Sequence, residues 1–329
     1  MQLPKISIIT PSYNQGAYIE NTILSVLEQD YPNLEYFVID GGSTDNSADI
    51  IRKYASRLTY WVSEKDEGQS DAINKGLEHA TGDIIGWLCS DDLYLPGTLH
   101  KVASVFENKP DAVMIHGASV LFGDGNREVV KAAEKEDLWL RYFSVIPFPQ
   151  PSSFFRKKLI DEQGPLNKSL HFAMDYDLLV RAALHYNITA VDELWSKYRL
   201  HTESKTTGKL EKFAEEWIEV FSKFIRSVEQ REQYIVILQD CGLYNPGSDT
   251  YSHELRFTDS DIQKIVLYFL DFMVHLHYLF VKKKRTLEIL SRIRSMDNTF
   301  YNRRNLNSIS LRTRYFPTSL IKFIRKIKK

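Results

Sequence analysis

An alternation before residue 93 constrains the fold of this chain more than any other feature. Apolar runs that read as strands, Ile6 to Thr10, Leu34 to Ile39, Leu58 to Val62 and the run ending at Leu88, are separated by segments of helical spacing. Those segments are Ala17 to Glu28, Ala48 to Tyr54 and Ser70 to Ala80. Crossovers of this length join strands that lie parallel, so the expected fold class is α/β, a mostly parallel sheet flanked by helices. Ligands of such sheets bind beyond the carboxyl ends of the strands. The polar stretches Pro11 to Gly16, Asp40 to Ser47 and Ser90 to Asp92 all fall at that edge.

The last of these is the most demanding chemically. The run Gly82-Asp83-Ile84-Ile85-Gly86-Trp87-Leu88-Cys89 ends in Ser90-Asp91-Asp92, two like charges at the mouth of a buried strand. Such a pair persists where a cation or a sugar hydroxyl answers it. Ser-Asp-Asp is also a common polar cap ahead of a helix, and Thr98 to Asn108 has helical spacing, so both readings are open. No Gly-x-Gly-x-x-Gly follows the first strand and no Gly-Lys-Ser/Thr cradle occurs, which excludes the usual dinucleotide and triphosphate loops.

The 329 residues carry a formal net charge of -1, and no nucleic-acid partner is expected. Cys89 and Cys241 are the only cysteines, which predicts a reducing compartment with neither a disulfide framework nor a cysteine metal site. The N-terminal residues run straight into a strand-like segment, so a cytoplasmic location is expected. Ile265 to Val281 contains Asp271, His275 and His277 and is shorter than the roughly 20 apolar residues of a spanning helix, so it reads as a buried helix.

Downstream, Ala112 to His116, Ser119 to Phe122 and Ser152 to Phe155 read as strands, with a hairpin turn at Gly123-Asp124-Gly125-Asn126. Glu134 to Tyr142 and Arg156 to Gln163 read as helices, the latter ending at Gly164. Asp175 and Asp177, two apart ahead of a helix, cannot share one helix face, so one enters a pocket or caps while the other faces elsewhere. Ile188 to Val191 and Leu194 to Arg199 read as short strands leading to His201, and the polar run Thr202 to Lys209 is expected to form a lid. From Leu210 the pattern is nearly all helix, and its stripe of Phe213, Trp217, Val220, Phe221 and Phe224 reads as core.

After Asp297 no acidic residue occurs, while Arg303, Arg304, Arg312, Arg314, Lys322, Arg325, Lys326, Lys328 and Lys329 follow. Leu311 to Lys329 mixes these with apolar residues, the composition of a helix lying on an anionic membrane or packing on a subunit.

Five motifs in order, Pro11-Ser12-Tyr13-Asn14, Ile39-Asp40-Gly41-Gly42-Ser43-Thr44-Asp45, Asp71-Ala72-Ile73-Asn74-Lys75-Gly76, Ala80-Thr81-Gly82-Asp83 and Ser90-Asp91-Asp92, resemble the GT-A glycosyltransferases of family 2. The resemblance spans about residues 5 to 205. It implies a GT-A, Rossmann-like catalytic domain at 1–208, a helical C-terminal region at 209–300 and a basic amphipathic tail at 301–329.

The resemblance also implies site roles. Asp40 contacts the nucleobase in a pocket lined by Pro11 and Tyr13, Asp91 reaches the ribose, and Asp71 and Lys75 belong to the nucleotide-sugar site. Asp92 and His201 hold Mn2+ or Mg2+, and Asp175 is the general base. Ser90, Gly41 and Met174 depart from the pattern, standing where the family commonly has acidic residues.

The implied activity is inverting, metal-dependent transfer of one sugar from a nucleotide-diphosphate sugar, with UDP as the commonest donor nucleotide. The acceptor would be a hydroxyl of a glycan or lipid-linked molecule in surface polysaccharide synthesis; separately, the composition of the basic tail suggests peripheral attachment to the inner face of the plasma membrane. A nucleotidyltransferase and a non-catalytic sugar- or membrane-binding subunit are the alternatives.

Overall fold

The computed structural model describes residues 3–123, 128–201 and 210–321, which fall into two compact units. The first comprises Met1–Glu136 with Ile146–Lys209, the second Asp137–Val145 with Leu210–Lys329. The short segment Asp137–Val145, inside the first domain on the sequence reading, thus belongs with the helices. The hairpin turn expected at 123–126, the lid at 202–209 and the tail beyond 321 lie wholly or mostly outside the described residues.

The first unit is built on β1 (Ile6–Ser12), β2 (Leu34–Asp40), β3 (Tyr60–Ser63) and β4 (Ile84–Trp87), ordered β3-β2-β1-β4 and all parallel. Every residue of β1 and β4 is buried, as expected of strands covered on both faces. The crossovers are α1 (Ile19–Leu27), α2 (Ser47–Lys53) and α3 (Gln69–His79). α1 buries Ile19, Thr22, Ile23 and Val26 at spacings of three and four, with Leu24 and Leu27 half-buried beside them. α3 lies so close to β1 that a Cβ on Gly76 would stand 2.6 Å from Cγ2 of Ile9, which accounts for the glycine in Asn-Lys-Gly.

Beyond β4 the sheet is mixed. After β5 (Leu93–Tyr94) and α4 (Thr98–Asn108) comes β6 (Ala112–Gly123), which joins the two short strands expected there. β7 (Val129–Lys131) pairs antiparallel to β6; α5 (Leu138–Arg141) is shorter than the helix expected over Glu134 to Tyr142. β8 (Ser153–Arg156) inserts antiparallel between β4 and β6. α6 (Lys158–Gln163) and α7 (Met174–His185) precede β9 (Asn187–Leu200), which likewise joins two expected strands. β9 runs parallel to β6 with register shifts between Ala112 and Ser119, the irregularities that break the alternation in sequence. Trp195 is fully buried, edge-on to Phe154.

At the N-terminal edge of the sheet, Glu35 gathers four hydrogen bonds. Ser7 Oγ (2.6 Å), Thr81 Oγ1 (2.5 Å), Thr81 N (2.9 Å) and Lys5 Nζ (3.3 Å) all donate to its carboxylate. Asp83 accepts from Lys5 N, and Gly82 N donates to Ser7 Oγ. The Ala-Thr-Gly-Asp motif is therefore a structural lock at the edge opposite the polar loops.

The second unit adds α8 (Leu210–Ser227), α9 (Glu232–Asp240), α10 (Asp259–Leu279), α11 (Lys283–Met296), α12 (Asn298–Arg303) and α13 (Leu306–Tyr315) to α5. Its core is aromatic: Phe221 stacks on Phe269 at 3.7 Å between centroids, and Phe143 on Phe224 at 4.9 Å. Trp217, Val220, Phe221 and Phe224 are buried there, as the stripe predicts. α10 starts at a capping box between Thr258 and Asp261 and is buried along most of its length. Among the described residues no helix is long and apolar enough to cross a membrane.

Candidate active site

Parallel pairing brings the ends of β1, β2 and β4 to one edge, where Ser12 lies opposite Asp40. The loops after β1 and β2 are stitched together. Asn14 N donates to Ser43 Oγ (2.7 Å), Thr44 N to Asn14 Oδ1 (2.8 Å), Gln15 N to Ser47 Oγ (2.9 Å) and Gly16 N to Asp45 Oδ2 (2.9 Å). Asp40 is fully buried and accepts from Ser43 N, Ser43 Oγ and Ser63 Oγ at 2.9, 2.5 and 2.6 Å. Its carboxylate therefore shapes the loop that follows β2. Pro11 is buried and Tyr13 is exposed at this rim, and between them the buried Ser12 Oγ has no hydrogen-bond partner among the described residues.

Asp66 fills the space beside Gly41. A Cβ on Gly41 would stand 2.6 Å from Asp66 Oδ2, so the chain supplies from the loop after β3 a carboxylate that the resembled pattern carries at position 41. Burial raises the Asp66 carboxyl above its ordinary range against the lowering by Gly68 N–H, with the charges of Asp71 and Asp40 adding to the rise. Nothing in the sequence marks Asp66 for this place.

Asp71 and Lys75 lie on α3 and find partners within the protein. Lys168 lies 2.5 Å and Lys75 3.8 Å from Asp71, whose carboxyl is lowered chiefly by the Lys168 hydrogen bond. Lys75 in turn donates to Glu64 at 2.6 Å.

Asp91 and Asp92 follow β4. Asp92 is buried, 1% exposed, and burial followed by the charge of Asp91 raises its carboxyl well above the usual range. Two contacts answer it: Thr22 Oγ1 donates to its carbonyl (2.8 Å), and Arg199 N donates to its Oδ1 (2.8 Å). Arg199 Nε donates to the carbonyl of Asp91 (2.9 Å), and His201 Nε2 lies 2.9 Å from Asp91 Oδ2. The Arg199 guanidinium stacks between two rings, 4.8 Å from the centroid of Tyr18 and 4.4 Å from that of Phe122. Tyr18 also meets the His201 ring at 4.9 Å.

One atom each of Cys89, Asp91 and Asp92, a thiol and two carboxylate oxygens, lie within 4.8 Å of one another. Two carboxylates, one buried at raised pKa, form a donor set that suits a hard divalent cation such as Mg2+ or Mn2+. The Cys89 thiol lies in this cluster, where the sequence reading expects no cysteine at a metal site; Gln69 Nε2 donates to its Sγ at 3.1 Å. The sequence reading sets Asp91 on a ribose and His201 on the metal, whereas the structure bonds these two side chains to each other. Arg199 falls in the Tyr198-Arg199-Leu200-His201 stretch, but the sequence reading gives no role to it, to Tyr18 or to Phe122. The one available signal was the two-residue spacing of Arg199 and His201 at the end of a strand, which puts both on one side.

Asp175 sits in the first turn of α7, half-buried, with Tyr176 N donating to its Oδ1 at 2.9 Å. Asp177 turns inward to Arg181 at 2.9 Å, and Arg181 also donates to the carbonyls of Gln163, Gly164 and Pro165. The two aspartates therefore diverge, as their spacing requires.

Comparisons with known proteins bear on the family and the fold. Over 250 residues the chain is 26% identical to an uncharacterised glycosyltransferase of Nostoc sp., covering 70% of this chain and 77% of that protein. Over 125 residues it is 37% identical to Bacillus subtilis TuaG, named as a teichuronic acid biosynthesis glycosyltransferase, covering 37% of this chain and 50% of that one. S. aureus TarS, solved in complex with UDP-GlcNAc, shares the fold with a TM-score of 0.58 at 20% identity, over 95% of this chain and 93% of that one. The mannosyltransferase PcManGT of Pyrobaculum calidifontis, solved with GDP-Man and Mn2+, gives 0.60 at 17% identity, over 96% and 82%. The sequence model of glycosyl transferase family 2 matches residues 7–173, half of the chain, and with the GT-A architecture around Asp40, Asp91 and Asp92 this establishes that the chain is a glycosyltransferase belonging to that family.

Proposed function

We propose that this glycosyltransferase moves one sugar, with inversion, from a nucleotide-diphosphate sugar to a hydroxyl of a glycan or lipid-linked acceptor in surface polysaccharide synthesis. The observation that carries the reading is the adjacent pair Asp91 and Asp92, set at the sheet edge with Arg199 and His201 against them. Asp92 and Asp91 would hold a divalent cation, with the Cys89 thiol beside them, and that cation supplies positive charge to the leaving diphosphate when bound. Arg199 and His201 hold the two carboxylates in register, so the site is organised before donor arrives.

The rim of Pro11, Ser12, Tyr13 and Asp66 receives the nucleobase, with Asp40 fixing the loop beneath it. Asp175 Oδ takes the proton from the acceptor hydroxyl as that oxygen attacks the anomeric carbon from the face opposite the diphosphate, which inverts the centre. The likeness to TuaG motivates the polysaccharide setting, and the UDP, UDP-GlcNAc and GDP-Man complexes of the fold neighbours motivate the donor class.

The test is calorimetric titration of UDP, GDP and dTDP into the wild type and Asp92→Asn, with and without Mn2+. Metal-dependent binding of one diphosphate, absent in the variant, is expected. Binding of that diphosphate with equal affinity in both proteins would overturn the metal assignment.

A further inference from the structure

The helix α13 has two faces of different chemistry. Leu306, Ile309 and Thr313 are buried in the second unit, while Leu311, Arg314 and Tyr315 lie on the outer side at helical spacings of three and four. Leu311 is 58% exposed and Tyr315 73%; after the turn at Pro317, Leu320 is 38% exposed. Lys283 Nζ donates to the carbonyl of Phe316, which holds that turn against α11. These apolar side chains are therefore presented by an anchored helix.

The sequence of this stretch carries charge of one sign. From Asn298 to Lys329 there are nine lysines and arginines and no aspartate or glutamate. Arg304 is drawn into the unit, bonding Asp271 at 2.9 Å, and Arg303 lies over the ring of Phe300. Among the described residues neither Arg312 nor Arg314 has a carboxylate at ion-pair distance. Charge complementarity selects the occupant, since these two arginines lack carboxylate partners among the described residues and an anionic surface supplies them. An anionic bilayer accepts the same pattern: tyrosine at headgroup level, leucine below it, and long cationic side chains extended to the phosphates.

We infer that the outer face of α13, with Leu311, Arg314 and Tyr315, the flanking Arg312, and Leu320 beyond the Pro317 turn, docks the enzyme on a membrane surface rich in anionic lipid. This interaction is separate from the donor site, so nucleotide binding and lipid binding succeed or fail independently.

The experiment is cosedimentation of the full chain with vesicles of phosphatidylcholine alone or mixed with phosphatidylglycerol. The wild type is expected to bind only the mixed vesicles and to be released by salt. R312Q/R314Q should weaken partitioning about five-fold per charge removed, and L311S/Y315S about ten-fold in all. Both variants alter side chains off the buried face of α13 and should keep the wild-type circular dichroism spectrum and nucleotide affinity; R314E alone, a charge reversal at one exposed position, is a further variant and should weaken partitioning more than R314Q. Equal binding to neutral vesicles, no binding to either, or wild-type partitioning by folded L311S/Y315S would each overturn the inference. So would tighter binding to heparin than to mixed vesicles, which would mark the patch as a site for a soluble polyanion.

Discussion

His201 Nε2 lies 2.9 Å from Asp91 Oδ2, joining the end of β9 to the loop after β4 across 110 residues of sequence. Tyr18 holds the imidazole from one side, and Arg199, two residues back, fixes Asp92 through its own N–H. One strand end thus sets both carboxylates. His201→Ala should lower diphosphate affinity about ten-fold or more, the value of a charged hydrogen bond, and His201→Gln should recover part of it by donating from its amide. Calorimetry of both variants checks this.

Asp92→Asn should reduce turnover by roughly 10²- to 10³-fold, the range for removing one group that stabilises transition-state charge. Its effect on stability has the opposite sign. Burial and Asp91 raise the folded-state carboxyl above the unfolded value of 3.8, so the metal-free fold binds more protons than the unfolded chain. Stability of the metal-free wild type should fall as pH rises from about 4 through that raised value. Thermal melts of Asp92→Asn should lack this slope and give a midpoint no lower than wild type at neutral pH.

Asp175→Asn should lower turnover about 10²- to 10⁴-fold, as for loss of a general base, with nucleotide binding unchanged. Asp177→Asn should act differently, because it breaks the buried pair with Arg181 that ties down the end of α6. A fall in melting temperature larger than the fall in turnover of the folded fraction is the expected signature. Side-by-side kinetics and melts separate the two aspartates.

Glu35 gives a pH prediction away from the site. Burial would raise its carboxyl, but the hydrogen bonds from Ser7, Thr81 and Lys5 outweigh burial and bring it down from 4.5 to about 2. A depressed folded pKa means a contribution that is complete above the unfolded pKa and lost as pH falls through the folded one. Glu35→Gln should cost roughly 1 to 2 kcal/mol at neutral pH, well below the full linkage value because the group stays partly hydrated. The gap from wild type should close between about pH 4.5 and 2, as read by urea unfolding at each pH.

By itself the sequence determined the strand and helix alternation through Trp87, the edge at which Asp40, Asp91 and Asp92 meet, and the divergence of Asp175 from Asp177. These are local matters, set by periodicity, crossover length and the geometry of a helix turn. Tertiary structure decided the antiparallel insertion of β8, since a four-residue strand with only two apolar side chains carries no mark of its pairing direction. It also decided that Asp66 stands beside Gly41, that Cys89 joins the carboxylates, and that Arg199 is held between Tyr18 and Phe122. Each of those relations joins residues from separate loops or strands. Which side chains then meet depends on sheet order and register, which emerge only when the whole core packs.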